Sequence, residues 1–517
     1  MEKKQEHFLK GAMILSIAGG LSKVMGAVYR IPLARWLGGE GMGLYQMAYP
    51  IYTTILAIAT AGVPVAISVL VARRETEGFS GDSRKIFKVA LIMMLFFGVI
   101  LTLLVMQSAS FIATNILHEP RAYYPVMAVA PAIFFSGLLS VFRGYFQGHQ
   151  TMIPTAVSQV IEQLFRVTAV LILAFLLFPR GLQYAAAGAT FGAVVGGMVG
   201  LVVLAIYYFQ FKRRLAEQEK ALVYSGTSSV SLGKELVRLA VPVSLGAVVL
   251  PLVQMLDAII VPGRLAALNY TTSQATSLYG QLSGMAAVLI SLPTIFTIAI
   301  STSLVPAVSE AFANSDRQLL TSRLNYGFRA GMIISFPCAA GMFILAYPIC
   351  DLLYKAAEAG RALEPLAFSA IMLAAFQLSS AGLQGIGRPE IAMRHLIITG
   401  VLKVIFNYTL TSVPALNIQG AAIGTVMAFF VGSCLNLIWL KKISGVVYEG
   451  FRLLKITLIT VLMALVVKYA FTYLLGLVSS HLATVIAITI GVLVYGIALF
   501  VAQELDMDMI RKTARGI

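Results

Sequence analysis

The chain has 517 residues, of which 59% are hydrophobic and only 12% charged, about half the roughly 25% charged share of a soluble domain. That composition excludes a water-solvated globular fold and makes lipid the main solvent. A net charge of +16 would suggest nucleic acid in a soluble protein, but the basic residues sit in short loops without an interleaved aromatic surface, so nucleic-acid binding is set aside.

Apolar runs of about 20 residues, each long enough to cross ~30 Å of hydrocarbon as helix, follow one another to the C-terminus. In chain order the predicted spans are 11–34, 44–72, 86–107, 123–147, 155–178, 184–211, 236–262, 276–307, 324–350, 361–386, 391–413, 418–440, 451–476 and 481–503, about fourteen in all. They lack the short alternating strands of a membrane barrel. The first run is too long for a secretory signal and leads straight into further spans. Cys338, Cys350 and Cys434 have neither disulfide-framework nor metal-ligand spacing.

Loop charge sets the orientation, because Lys and Arg stay on the cytoplasmic side. With the N-terminal Lys3, Lys4 and Lys10 inside, the inside loops also hold Arg73, Arg74, Arg84 and Lys85; Lys212 to Lys220, Lys234 and Arg238; Lys441, Lys442, Arg452 and Lys455; and Arg511, Lys512 and Arg515. The outside loops hold six: Arg35, Arg121, Arg180, Arg264, Lys355 and Arg361. Both termini are therefore expected in the cytoplasm, in keeping with an even number of spans.

The two halves repeat. Gly43-Leu44-Tyr45 recurs as Ser277-Leu278-Tyr279, Gln147-Gly148 as Gln384-Gly385, and Ala186-Ala187-Gly188-Ala189-Thr190 as Ala421-Ala422-Ile423-Gly424-Thr425. Six spans per half make the repeat parallel. The expected organisation is an N-terminal six-helix lobe (1–211), a cytoplasmic linker (212–235), a C-terminal six-helix lobe (236–442), then two additional helices and a cytoplasmic tail (443–517). Such a pair of bundles encloses a crevice that rocking opens to alternate sides.

A charge at the centre of a span is worth about 2.5–3.5 kcal/mol against insertion, so the mid-span charges are the candidate site residues: Lys23, Arg30, Glu162, Arg166, Asp257 and Lys403. Lys23 and Arg30, seven residues apart, fall within about 20° of one helix face and form a cationic stripe, unless Arg30 reaches the headgroups and Lys23 pairs with a carboxylate. Glu162 and Arg166 are spaced to pair along their helix, which also suits a purely structural role. Adding the 237-residue offset of the Gln-Gly match carries Arg166 onto Lys403, which has Asn407 one turn on and no acidic neighbour in its helix. Asp257 could neutralise Lys23, bind a coupling cation or cap a break beside Pro262. Four cations against two acids favour an anionic ligand held by charge-assisted hydrogen bonds. Pro64, Pro242, Pro251, Pro293, Pro306 and Pro337 give places to bend, or serve close packing alone.

Several segments carry a family resemblance. Ser22-Lys23-Val24-Met25-Gly26 with Ala34-Arg35-Trp36-Leu37-Gly38 resembles the first span of MurJ-type lipid II flippases. Ala27 to Pro32, Gly43-Leu44-Tyr45-Gln46, Tyr49-Pro50, Gly62 to Ser68, Leu383 to Pro389 and Lys403 to Tyr408 are similar to the stage V sporulation protein B group. Both are branches of the multidrug/oligosaccharidyl-lipid/polysaccharide exporter superfamily. The resemblance implies an all-α fold of six, six and two helices and alternating access. It also implies a cationic cavity and a lipid-linked peptidoglycan precursor as cargo. The family's first-span basic position carries over to Lys23; its second falls on Tyr29, with Arg30 beside it. Spans 451–476 and 481–503 would form the family's groove for a lipid tail.

The expected function is a flippase of the bacterial plasma membrane. It would move a polyprenyl-pyrophosphate-linked saccharide, lipid II first, to the outer leaflet, with Lys23, Arg30, Arg166 and Lys403 on the pyrophosphate and Glu162, Asp257, Asn407 and Tyr29 beside them. It is expected to work as a monomer among membrane lipids, without cofactor or metal. No nucleotide-binding motif is present, so the driving force is an ion gradient, the membrane potential or downstream consumption. Exporters of other undecaprenyl-linked units stand as the alternative; a cation-coupled drug exporter fits the cationic excess less well. A membrane enzyme is disfavoured by the short loops and by the scatter of His7, His118, His149, His395 and His481.

Overall fold

The computed structural model describes residues 2–217 and 223–504. In the first half the helices are α1 (Glu2–Val28), α2 (Arg30–Thr60), α3 (Val63–Thr76), α4 (Ser80–Phe111), α5 (Tyr123–Val129), α6 (Pro131–Gly148), α7 (Ile153–Leu177) and α8 (Leu182–Glu217). After the linker come α9 (Ser229–Ala267), α10 (Thr272–Tyr279), α11 (Ala287–Ala313), α12 (Arg317–Ile344), α13 (Ala346–Tyr354), α14 (Gly360–Leu366), α15 (Ser369–Gly385), α16 (Pro389–Thr411) and α17 (Ile418–Ser444). A hairpin of α18 (Gly450–Leu474) and α19 (Ser480–Val501) ends the described chain. No strand occurs among the described residues. In lipid every backbone N–H and C=O must find a partner within the chain, and helices supply it locally.

Among the described residues twelve helical segments are long and apolar enough to cross a membrane, and a bent pair, 357–366 with 369–385, makes a thirteenth. The first predicted span is the shorter apolar helix Met13–Val28, which runs through Tyr29 into α2; Tyr29 N bonds to Met25 O at 3.3 Å, and Leu33 N to Tyr29 O at 3.2 Å. The division between the first and second predicted spans is Gly38, whose φ of 63° and ψ of −171° are readily adopted only by glycine. The chain is thus a polytopic α-helical membrane protein. The predicted inside charges Lys220, Arg511, Lys512 and Arg515 lie outside the described residues.

The chain forms two compact units, Met1–Ala266 with Tyr270–Gly280, and Ala267–Asn269 with Gln281–Ile517. Helix α9 thus packs with the first. Ser244 of α9 accepts the Gly62 N–H at 2.9 Å, and a Cβ on Gly62 would collide with the Ala240 carbonyl. In the second unit the C-terminal hairpin packs on α12 and α13. Tyr495 donates to the Ile333 carbonyl at 2.9 Å, and His481 Nε2 lies 3.1 Å from Asp351 Oδ2.

Packing inside each unit exposes the repeat more sharply than sequence matching does. A Cβ on Gly148 would press on Val71 and the Ser68 carbonyl, and one on Gly385 on Val308 and the Val305 carbonyl; every residue of the second set is 237 positions after its counterpart. The core residues Ile67, Val71, Phe87, Val141 and Phe146 of the first unit recur at the same offset as Leu304, Val308, Leu324, Leu378 and Leu383 of the second.

The same logic resolves the α7–α8 and α16–α17 hairpins. Gly188 abuts Leu173, Gly192 abuts Val170 and Gly200 abuts Glu162. Gly420 abuts Leu410, Gly424 abuts Asn407 and Gly432 abuts Thr399. Partners on α7 and α16 stay 237 apart, whereas the glycines are 232 apart (420 − 188), so the Ala-Ala-x-Gly match quoted above is out of structural register by a few residues. Glycine matters here because it lets two helix backbones approach closely within lipid.

Candidate functional site

The first unit gathers polar side chains at the depth of its apolar helices, from three directions. At the α1–α2 junction Tyr29 is buried and its hydroxyl lies 2.9 Å from that of Tyr45. Arg30 is half-buried, its Nε shielded from solvent and without a partner among the described residues. The hydroxyls of Tyr29, Tyr45 and Tyr49 are its electrostatic neighbours. On α2, Tyr45, Tyr49 and Tyr52 follow the i, i+4, i+7 spacing of one helical face. Their rings adjoin, Tyr45 stacked on Tyr49 at 5.7 Å and Tyr52 edge-on to Tyr49 at 5.8 Å. Tyr52 ties the row to α6 through Ser136 Oγ at 3.1 Å.

Helix α7 supplies the charges. Glu162 accepts from Arg166 Nη2 at 2.5 Å and from Arg143 Nη2, on α6, at 2.7 Å. Arg143 also donates to Ser158 Oγ at 3.3 Å. Arg166 Nε has no partner among the described residues, and Tyr49, Tyr52 and Tyr29 lie within its electrostatic range. The side chains of Arg143, Glu162 and Arg166 are 19%, 12% and 17% exposed. These charges are therefore largely desolvated, and one carboxylate serves two guanidiniums. With Arg30 included the cluster carries three positive charges and one negative, a net +2. Helix α8 fixes its back wall, since a Cβ on Gly196 would sit 2.8 Å from the Arg166 Cβ and one on Gly200 3.2 Å from the Glu162 Cβ.

The structure therefore joins Tyr29, Arg30, Glu162 and Arg166 in one place. Lys23 is exposed on α1, one heptad before Arg30. Asp257 is half-buried on α9, five residues ahead of Pro262. Lys403 and Asn407 belong to the second unit: Lys403 is half-buried on α16, and Asn407 is 1% exposed, packed against Gly424 of α17. At the repeat offset Thr399 stands for Glu162, Ser380 for Arg143 and His395 for Ser158. There no carboxylate stands at the Glu162 position, and His395 Nδ1 lies 2.7 Å from Asn436 Oδ1 while Asn436 Nδ2 donates to Ser380 at 2.9 Å. Among the described residues no three His, Cys, Asp or Glu side chains gather to hold a metal ion.

Sequence reasoning missed Arg143 and the tyrosine row. Arg143 lies near the end of its apolar run, where a guanidinium commonly reaches for headgroups. The tyrosines carried a visible signal, the 45-49-52 spacing.

A second polar cluster ties α10 to α2. Glu119, 1% exposed, accepts from Arg121 at 2.8 and 2.9 Å and from Thr276 Oγ1 at 2.7 Å. Glu40 accepts from the same Arg121 at 2.6 Å and from Ser273 Oγ at 2.5 Å. Beneath them α2 and α10 cross at bare backbone, where a Cβ on Gly43 would strike the Thr276 carbonyl and one on Gly280 the Gly39 carbonyl. Residues 39 and 43 map onto 276 and 280 at the 237 offset, so the crossing is reciprocal, and Gly43 corresponds to Gly280 rather than to Ser277. Burial alone would raise the Glu119 pKa, but the bonds from Arg121 and Thr276 outweigh it and hold the carboxyl below its ordinary value of 4.5. With the folded value depressed, the stabilisation is complete above about pH 4.5 and lost as pH falls through the folded value. Glu119→Ala is expected to lower stability by about 1–3 kcal/mol and to flatten the acid limb of the pH–stability curve, as read by thermal unfolding in detergent. An unchanged acid limb would remove Glu119 from this role.

The family description "Polysaccharide biosynthesis protein" matches residues 8–312, and the MatE family matches 242–409. Stage V sporulation protein B of Bacillus subtilis (strain 168) is 31% identical over 444 residues, covering 85% of this chain and 84% of that protein. Lipid II flippase MurJ of the same organism is 29% identical over 522 residues, covering 94% of each. Among solved structures, lipid II flippase MurJ in an inward closed conformation superposes with a TM-score of 0.73 at 16% identity, over 96% of this chain and 100% of that one. At that identity the likeness concerns the fold.

Proposed function

The chain belongs to the polysaccharide biosynthesis protein family, and from that premise we propose that it is a flippase of the bacterial plasma membrane, moving polyprenyl-pyrophosphate-linked saccharide, with lipid II the first candidate, from the cytoplasmic to the outer leaflet. One observation supports this reading above the rest: the first unit holds an excess of two positive charges, largely desolvated among tyrosine hydroxyls. Isolated cations at that depth oppose insertion. A pyrophosphate would offset this by accepting charge-assisted, bidentate hydrogen bonds from guanidiniums. The same excess disfavours a cationic drug as cargo.

In this reading Arg30 and Arg166 are the principal phosphate ligands. Glu162 keeps Arg166 oriented, and Tyr29 lends its hydroxyl to the Arg30 side. Lys23, one heptad before Arg30, and Lys403, at the position equivalent to Arg166, take the phosphates at other stages of the cycle. Asp257 and Asn407 are coupling or lining groups. The lobes 1–211 and 236–442 alternate access about the linker 212–235, both termini are cytoplasmic, and 443–517 adds the tail-binding helices. Transport involves no covalent chemistry, nucleic acid or cofactor, and the working unit is a monomer.

The test is to deplete the protein and identify the lipid-linked saccharide that accumulates in the cytoplasmic leaflet, in vegetative and in sporulating cells. Accumulation of undecaprenyl-pyrophosphoryl-disaccharide-pentapeptide is expected. Build-up of a capsule-type repeat unit would reassign the cargo within the same carrier-lipid class. Build-up of a precursor lacking one chemical group would point to an enzyme and end the flippase reading.

A further inference from the structure

Tyr29, Tyr45 and Tyr52 are buried, at 6%, 2% and 3% exposure; Tyr49, within the same aromatic row, is half-buried. One side of its ring is occupied by Tyr45, stacked at an interplanar angle of 22°, and Tyr52 meets it edge-on at 60°. These contacts set the plane of the ring while part of its surface stays open. Tyr49, like Tyr29, is an electrostatic neighbour of both Arg30 and Arg166, and of these two rings it is the one that is not buried. Pro50 follows it within α2 and the Thr53 and Thr54 hydroxyls bond back to the Pro50 carbonyl at 3.1 and 2.7 Å, which stiffens the turn that carries the ring.

A phenol serving only to orient two arginines would need its hydroxyl and not an open ring surface. A ring held in plane beside two anion-binding groups has a further use. The sugar of a polyprenyl-pyrophosphate saccharide is bonded directly to the second phosphate, so a pyrophosphate on Arg30 and Arg166 brings the first pyranose beside Tyr49. One face of a pyranose is a patch of C–H groups bearing partial positive charge, complementary to the negative face of an aromatic quadrupole. Rigid aromatic side chains provide such area at small entropic loss.

We propose that Tyr49 is the sugar platform of the site, recognising the first pyranose of the cargo by stacking and so distinguishing the glycosylated lipid from the bare carrier pyrophosphate. The proposal rests on the flippase reading and adds a specificity determinant to it. The platform keeps the carrier freed of its sugar from competing for the site, because that carrier is held less tightly.

The experiment measures binding of undecaprenyl pyrophosphate, and of undecaprenyl pyrophosphate bearing an N-acetylhexosamine, to the full-length protein in nanodiscs. Wild type is expected to prefer the glycosylated lipid. Tyr49→Leu is expected to lose that preference, with roughly tenfold weaker binding of the glycosylated lipid and unchanged binding of the bare one, which also shows that the site is folded. Tyr49→Phe, which keeps the ring, is expected to retain most of the preference. Equal weakening of both lipids by Tyr49→Phe would make the residue a positioner of the arginines and overturn the proposal, as would an unaltered preference in Tyr49→Leu. A wild-type protein that binds neither lipid removes the flippase reading itself and this proposal with it. Binding without any preference removes the platform alone.

Discussion

Replacing Arg30 and Arg166 together by alanine is expected to abolish translocation while the protein still accumulates in the membrane. The two halves of this expectation have separate causes. Arg30 Nε and Arg166 Nε are buried without partners among the described residues, and the ion pair that truncation removes is the one from Arg166 to Glu162 at 2.5 Å. Glu162 keeps Arg143 at 2.7 Å when Arg166 is gone, leaving no stranded carboxylate. Each deletion also removes a charge that insertion resists by about 2.5–3.5 kcal/mol. The ligand, by contrast, loses two charge-assisted contacts worth roughly 1.5–3 kcal/mol each, a drop of about two to four orders of magnitude in affinity. Arg→Lys at either position preserves charge but not the planar fork, and should recover only part of the activity. A transport assay in vesicles with matched protein amounts decides the matter. Full activity in the double alanine variant would leave the cationic cluster without its proposed purpose.

Much of the architecture was legible because hydropathy reports the solvent a segment prefers. Each of the fourteen apolar runs contains a helix, and even the first, at 11–34, ends close to the glycine break at residue 38. What hydropathy does not carry is the identity of partners. Glu162 and Arg166 could be paired from their spacing alone, since the contact is within one helix. The second claim on Glu162, from Arg143 of α6, depends on how α6 lies against α7, and nothing local in the sequence encodes that. The equivalence of Arg166 and Lys403 came from a single Gln-Gly match, and the glycine contacts on α7 and α16 support the same 237 offset. Two of the other matched segments are out of register for different reasons. Gly43 corresponds to Gly280 because backbone-to-backbone crossing demands glycine, whereas the Leu-Tyr that follows Gly43 is free to drift. The α8–α17 pair slips because the contact in the second hairpin falls nearer the turn, with Leu410 and Gly420 10 residues apart where Leu173 and Gly188 are 15. The tyrosine row was written plainly in the spacing of residues 45, 49 and 52, but aromatic side chains at helical spacing ordinarily signal packing. Only its meeting with Arg30 and Arg166 gives it another meaning.

Glu162→Ala is expected to be the most destabilising single change in the cluster, by about 3–5 kcal/mol, because it strands two largely desolvated guanidiniums at once. Glu162→Gln should be milder, since an acceptor oxygen remains for Arg143 or Arg166 although the charge is lost. The repeat supplies a sharper control. In the second unit the positions of Glu162 and Arg143 are held by Thr399 and Ser380, with Lys403 as the cation, so the fold accommodates the same corner without the carboxylate–guanidinium bridge. Arg143→Ser introduced together with Glu162→Thr should therefore recover a large part of the stability that Glu162→Thr loses alone, a coupling of more than ~1 kcal/mol between residues in direct contact. The measurement is thermal unfolding in detergent for the two single variants and the pair. Strict additivity would mean that Arg143 finds solvent once Glu162 is removed and that the buried bridge does not hold α6 to α7. Coupling without recovered transport would separate the structural duty of Glu162 from the orientation of Arg166, because the double variant restores the packing of the helices but not the carboxylate that aims the guanidinium.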